Sequence, residues 1–166
     1  GILAVGYAYR SNSYDTSATT AALAIKYTAS GNIEWVKRYS GSGHSLFNGV
    51  SASPDGFAVS GNTTSLDGDF TGNRAEPAEN SSVISKRTSG FIFSLDGNGN
   101  VKWKEFFCGS KGSSMGGISC DGDGNIFAAC MTSSTDGDFA RFDSLIGGYN
   151  DSIAYKFSPD GKLLWG

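Results

Sequence analysis

Along this chain of 166 residues, apolar positions come in short runs cut by clusters of Gly, Asn, Asp, Ser and Pro. The runs are about five to seven residues long, which suits strands and is too short for helices. No stretch sustains a helical period. Four kinds of run recur in a fixed order. The first kind occupies 46–52 and 115–120, and the second 2–7, 57–62 and 126–131. The third occupies 22–27, 91–95 and 152–157, and the fourth 33–39, 101–107 and the residues from 163 onward. Between first and second runs stand Ser53-Pro54-Asp55-Gly56 and Asp121-Gly122-Asp123-Gly124. Between third and fourth stand Ala29-Ser30-Gly31-Asn32, Asp96-Gly97-Asn98-Gly99 and Ser158-Pro159-Asp160-Gly161. Pro-Asp-Gly and Asn-Gly supply the positive-φ positions that tight hairpins require. The pattern predicts eleven antiparallel strands joined mostly by hairpins.

The order of runs is a repeat. All three tryptophans, Trp35, Trp103 and Trp165, follow a glycine by the same four-residue step, and they lie 68 and 62 positions apart. Ser65-Leu66-Asp67-Gly68-Asp69-Phe70 returns 69 positions later as Ser134-Thr135-Asp136-Gly137-Asp138-Phe139. Gly41-Ser42 returns as Gly109-Ser110, and Val50-Ser51 as Ile118-Ser119, each after 68. Four short strands per unit, repeated every sixty-odd residues, predict the blades of a β-propeller. Phe91-Ile92-Phe93 and Ala22-Leu23-Ala24-Ile25 are apolar without alternation, as expected of strands covered on both faces. The recurring Trp is expected to fill the space between neighbouring blades, and Phe70 and Phe139 to plug loops. The units are 1–40, which lacks its first strand, 41–108, and 109–166, whose last strand is cut short. The fold class is therefore all-β, with about three four-stranded antiparallel blades of an incomplete ring.

Composition narrows the function classes. Thirteen basic residues against sixteen acidic leave a formal charge of -3, without the clustered basic patch of a nucleic-acid binder. No apolar run is long enough to span a membrane as a helix. Gly (24) and Ser would suit a linker, but an aromatic content of 13% argues for packed cores. Cys108, Cys120 and Cys130 make an odd count without zinc-type spacing. Cys120 and Cys130 flank a hairpin and could face one another, but free, packed thiols are the expectation. No signal peptide is visible, and the chain reads as a piece of something longer.

The order Gly61-Asn62-Thr63-Thr64-Ser65-Leu66-Asp67-Gly68-Asp69-Phe70, with the strand Ile153-Ala154-Tyr155-Lys156-Phe157 leading into Ser158-Pro159-Asp160-Gly161, resembles the bacterial SBBP-type β-propeller repeats. The resemblance covers nearly the whole chain in three copies. The first copy departs from it at Tyr9-Arg10-Ser11-Asn12-Ser13-Tyr14-Asp15, the second has Ser94 where Lys26 and Lys156 stand, and it carries a polar insert over 72–80. The resemblance implies an extracellular or cell-surface, non-catalytic scaffold or binding module, and no particular substrate.

The chemistry offered by single residues is sparse. His44 is the only histidine, set in the connector Gly41-Ser42-Gly43-His44-Ser45, and a solvated loop role is expected of it rather than a catalytic one. Carboxylates sit mostly in repeated turns, where Asp bonds its own backbone. Asp67, Asp69, Asp136 and Asp138 pair two carboxylates around a glycine, which makes them candidate calcium ligands. Asp121-Gly122-Asp123-Gly124-Asn125 opens like an EF-hand loop but lacks its later ligands. No other cofactor is expected. The expected partners are the remaining blades of a parent chain, or a second copy, on the open flanks, and a protein or glycan ligand at the loops. Loops 64–88 and 132–150 are long, and Tyr7, Tyr9, Tyr14 and Tyr149 near them suit either stacking on sugars or packing within the fold. Two alternatives stand beside this: the propeller part of a carbohydrate-active enzyme, and a structural spacer in a surface protein or filament.

Overall fold

The computed structural model describes residues 1–9, 19–75, 88–142 and 149–166. Tyr14 and most of the 72–80 insert lie outside these. The chain is all-β. Among the described residues, eleven strands form three antiparallel sheets in strict chain order. Sheet 1 holds β1 (Ile2–Tyr9), β2 (Thr20–Tyr27) and β3 (Ile33–Tyr39). Sheet 2 holds β4 (Ser45–Ser53), β5 (Gly56–Thr63), β6 (Ser89–Asp96) and β7 (Val101–Phe107). Sheet 3 holds β8 (Ser113–Cys120), β9 (Ile126–Thr132), β10 (Asp151–Phe157) and β11 (Leu163–Trp165). Every apolar run became a strand, because each is bounded by residues that close a hairpin.

The turns repeat in hydrogen-bond detail. Thr28 N–H donates to Asn32 O, Asp96 N–H to Asn100 O and Ser158 N–H to Lys162 O, at 2.8, 2.9 and 2.9 Å. Just beyond each of these turns the pairing shifts by one residue, at Lys26/Tyr27, Ser94/Leu95 and Lys156/Phe157. Such a bulge re-aims the following side chain. It sets Trp35, Trp103 and Trp165 opposite residues 26, 94 and 156 in the three sheets.

Sheet 2 lies between the other two, with β4 beside β1 on one flank and β8 on the other. One core forms where Leu3, Ala22 and Ala24 of sheet 1 meet Val59, Phe91, Phe93 and Leu95 of sheet 2. The other forms where Ala58, Ile92 and Phe107 of sheet 2 meet Ile126, Ala128, Ile153, Tyr155 and Phe157 of sheet 3. At the first junction the alanines Ala22 and Ala24 face the large side chains Phe91, Phe93 and Leu95. Burial on both faces explains why β6 lacks alternation: Phe91, Ile92 and Phe93 are all buried.

Two short 3-10 helices, Gly68–Phe70 and Gly137–Phe142, stand where sequence suggested only turns. They carry the Asp-Gly-Asp-Phe motif. Phe70 packs at 5.1 Å from the ring of Phe91, and both Phe70 and Phe139 are fully buried, as plugs should be.

Candidate binding cleft

The tryptophans build the junctions. Trp35 Nε1 donates to Gly97 O (3.2 Å) in the hairpin turn of the next sheet, and Lys26 Nζ donates to the same oxygen at 3.1 Å. Trp103 Nε1 donates to Pro159 O (2.9 Å), at the equivalent position of the third sheet's turn. The buried Tyr39 hydroxyl adds a 2.7 Å bond to Gly99 O. Burial, with Asp69 and Asp96 nearby, pushes that hydroxyl's pKa well above the ordinary phenol range.

The four candidate calcium ligands act on backbone. Asp67 Oδ1 accepts from Ser42 N–H (2.6 Å) and Asp69 Oδ2 from Ser40 N–H (2.7 Å). In the next unit Asp136 Oδ1 accepts from Ser110 N–H and Asp138 Oδ2 from Cys108 N–H, both at 2.7 Å. The bonding is reciprocal: Asp69 N–H donates to Ser40 O and Asp138 N–H to Cys108 O. Each motif thus clamps the connector that enters its own sheet. Gly68 and Gly137 hold φ near +60° and pass against the Ser40 and Cys108 carbonyls, so a side chain there would collide with backbone. Among the described residues, no group of three or more His, Cys, Asp and Glu side chains is placed to hold a metal ion.

His44 is exposed, and its Nδ1 accepts the backbone N–H of Thr20 at 3.3 Å. That bond ties the ring to the loop. The three cysteines are free. Cys120 pairs with Ile126 across the hairpin, whereas Cys130 pairs with Met115 and Ile153, so the two thiols do not face each other. Burial pushes the Cys130 thiol up to about 12, leaving it inert at neutral pH.

Of the sequence-derived candidates, Asp138 lies at a cavity. A cleft of about 460 Å³ runs between β7 of sheet 2 and the second 3-10 helix and last hairpin of sheet 3. Its floor includes Phe106, Phe107 and Phe157, and its polar groups are Glu105, Asp138 and Arg141. Arg74 Nη2 reaches both Asp138 oxygens at 2.9 Å, an ion pair linking segments of two units. Arg141 lies over the Phe142 and Tyr155 rings, 4.8 and 5.5 Å from their centroids. Glu105 is half-buried and has no hydrogen bond or ion pair among the described residues. Burial raises its pKa and Asp138 adds to the rise, against the opposing pull of Arg74 and Arg141. The Tyr155 hydroxyl, buried behind this wall, has no hydrogen-bond partner among the described residues.

Exposed aromatics occupy a second place. Tyr7 and Tyr9 stand edge-to-face at 6.0 Å on β1, an edge strand of sheet 1. Tyr149 is almost wholly exposed and stands outside both clusters.

Sequence reasoning did not find Glu105, Arg74 or Arg141. Glu105 lies in the strand Val101–Phe107, Arg74 in a loop and Arg141 in the 3-10 helix Gly137–Phe142. No local motif marks them. No protein-family model and no curated protein matches this chain.

Proposed function

We propose that the three sheets are successive blades of a β-propeller and that the chain is a non-catalytic, extracellular or cell-surface recognition scaffold. Its binding cleft lies between the second and third blades, and the ligand class is a glycan. The observation that carries this reading is the half-buried carboxyl of Glu105, without a partner among the described residues, in a phenylalanine-lined cleft beside Arg141. A carboxylate accepts sugar hydroxyls and a guanidinium donates to them. The resemblance to SBBP-type repeats supports the secreted or surface location.

The carbohydrate-active alternative meets an obstacle in the same cleft. Glycoside cleavage uses two working carboxyls. Here Asp138 already accepts Arg74 on both oxygens and Cys108 N–H on one. Among the described lining residues, that leaves Glu105 as the one carboxyl without such partners.

Glycan-array screening followed by calorimetry tests the proposal. A glycan that binds the parent chain and binds Glu105→Gln at least about tenfold more weakly supports it. Binding to no glycan, with the fold intact by circular dichroism, overturns it in favour of the spacer reading. Turnover of a bound oligosaccharide would restore the enzyme alternative.

A further inference from the structure

The two internal junctions follow one plan, and the outer faces of sheets 1 and 3 carry its two halves. On the donor side, residues 26, 94 and 156 pair with Trp35, Trp103 and Trp165. In sheet 1 the donors are Lys26 and Trp35, both bonded to Gly97 O. Sheet 3 repeats this pair as Lys156 and Trp165, at the register positions of the first pair. Trp165 is 49% exposed, and Lys156 rests over the Phe127 ring at 4.9 Å. Around them Phe127, Ala129, Ala154 and Trp165 line an open depression of about 440 Å³. The corresponding surface of sheet 2, with Ala58, Ile92 and Trp103, is filled by the third sheet.

The acceptor side is open at the other end. In sheet 2 it consists of Phe91, Phe93 and Leu95 with the turn at Gly97–Gly99. Its counterpart in sheet 1 is Leu23, Ile25 and Tyr27 with the turn 29–32, 68 positions earlier. Ile25 is flanked in register by Ala4 and Val36, which puts all three on one face. Val36 is 50% exposed, and Ala4, Ala29, Ser30 and Gly31 are exposed. A Cβ on Gly99 or Gly161 would strike the neighbouring tryptophan, whereas one on Gly31 would meet nothing within 4 Å. The seat for a tryptophan is thus formed, and none of the described residues fills it.

We propose that a second copy of this chain fills that seat: sheet 3 of one copy packs on sheet 1 of the next. Trp165 and Lys156 then donate to Ala29 O as Trp35 and Lys26 donate to Gly97 O within the chain. The occupant is a second copy because this chain carries both halves of the junction, the Lys-Trp donor pair and the turn that receives it, and each matches an interface it already makes. The contact is head-to-tail, so two copies joined at both ends bring six sheets together, within the range of closed propellers. The proposal goes beyond the ligand reading and stands whether or not the cleft binds a glycan.

Sedimentation velocity from about 1 to 100 μM tests it with two substitutions at exposed positions. Val36→Asp spoils the acceptor face and Ala154→Asp the donor face, each by placing a charge in an apolar contact. Circular dichroism and melting establish that both variants stay folded. The parent is expected to associate, and each variant to associate at least about tenfold more weakly. An equimolar mixture of the two variants is expected to regain association, because one junction in the mixed pair is intact on both sides. A parent chain that is monomeric throughout overturns the proposal. So does association indifferent to the substitutions, or a mixture that regains nothing, since that would mark a two-fold contact instead.

Discussion

Asp136 shows how a residue in a loop can act on a distant connector. Its Oδ1 holds Ser110 N–H, 26 positions away in sequence, at 2.7 Å. Removing a carboxylate that accepts a backbone N–H leaves the donor to water or to nothing. Asp136→Ala is therefore expected to cost about 1–2 kcal/mol in urea unfolding. Calcium titration of the parent and of this variant in a calorimeter then decides whether the loop also takes a hard cation, and equal heats would remove that idea. Gly161 is a second such point: φ is +87°, and an added Cβ would lie 2.8 Å from Trp103 Cδ2. Gly161→Ala should destabilise by about 2 kcal/mol, from left-handed strain and the displaced indole together, with a visible change in tryptophan emission.

Glu105 gives a pH signature of known sign. Its folded pKa is raised, so its favourable contribution is complete at low pH and is lost as pH rises through that raised value. Glu105→Gln should accordingly be more stable than the parent at neutral pH, with the gap closing as pH falls. Asp96 and Asp121 have the opposite sign. Hydrogen bonds from Asn100 and Asn125 hold their carboxyls below the ordinary range. The stability they add is present above that range and fades as pH drops through their lowered values. An acid titration of the Glu105→Gln variant, followed by circular dichroism, separates the two effects.

At the scale of elements, strands and hairpins were legible because their causes are local. Asp96-Gly97-Asn98-Gly99 carries its turn in four consecutive residues, and the strands on each side are apolar wherever they are sandwiched. The 3-10 helices were not legible. What holds Gly68–Phe70 is the clamp on Ser40 and Ser42, and neither residue is near it in sequence. The cleft was hidden for the same reason: Glu105, Asp138 and Arg141 come from a strand and a helix that meet only after the sheets stack. The seam between sheets 2 and 3 is also non-local. Asn62 accepts Met115 N–H and donates to Ser114 Oγ, both at 2.9 Å, while Ser60 Oγ donates to Gly116 O. These bonds serve β8 where its pairing with β9 shifts between Met115 and Ile118. Asn62→Ala should leave Met115 N–H unpaired and cost about 1–3 kcal/mol, read as a lower urea midpoint with an unchanged slope.

Across the whole molecule, stability comes from stacking as well as from any single sheet. Sheet 2 shares one core with each neighbour, so neither of its faces is left to water. A chain carrying a second copy of residues 41–108 directly after residue 108 should therefore fold. Each junction in it would be of a kind already present. Its melting temperature is expected to match or exceed the parent's, with the same circular dichroism per residue. A lower melting temperature with lost strand signal would show that the units are not interchangeable.

That interchangeability has a historical side. The indoles of Trp35 and Trp103 both point forward to the turn of the following sheet, so the stack has a direction, like a row of nested cups. A gene that gained or lost one such segment by unequal recombination would meet the same socket at either cut.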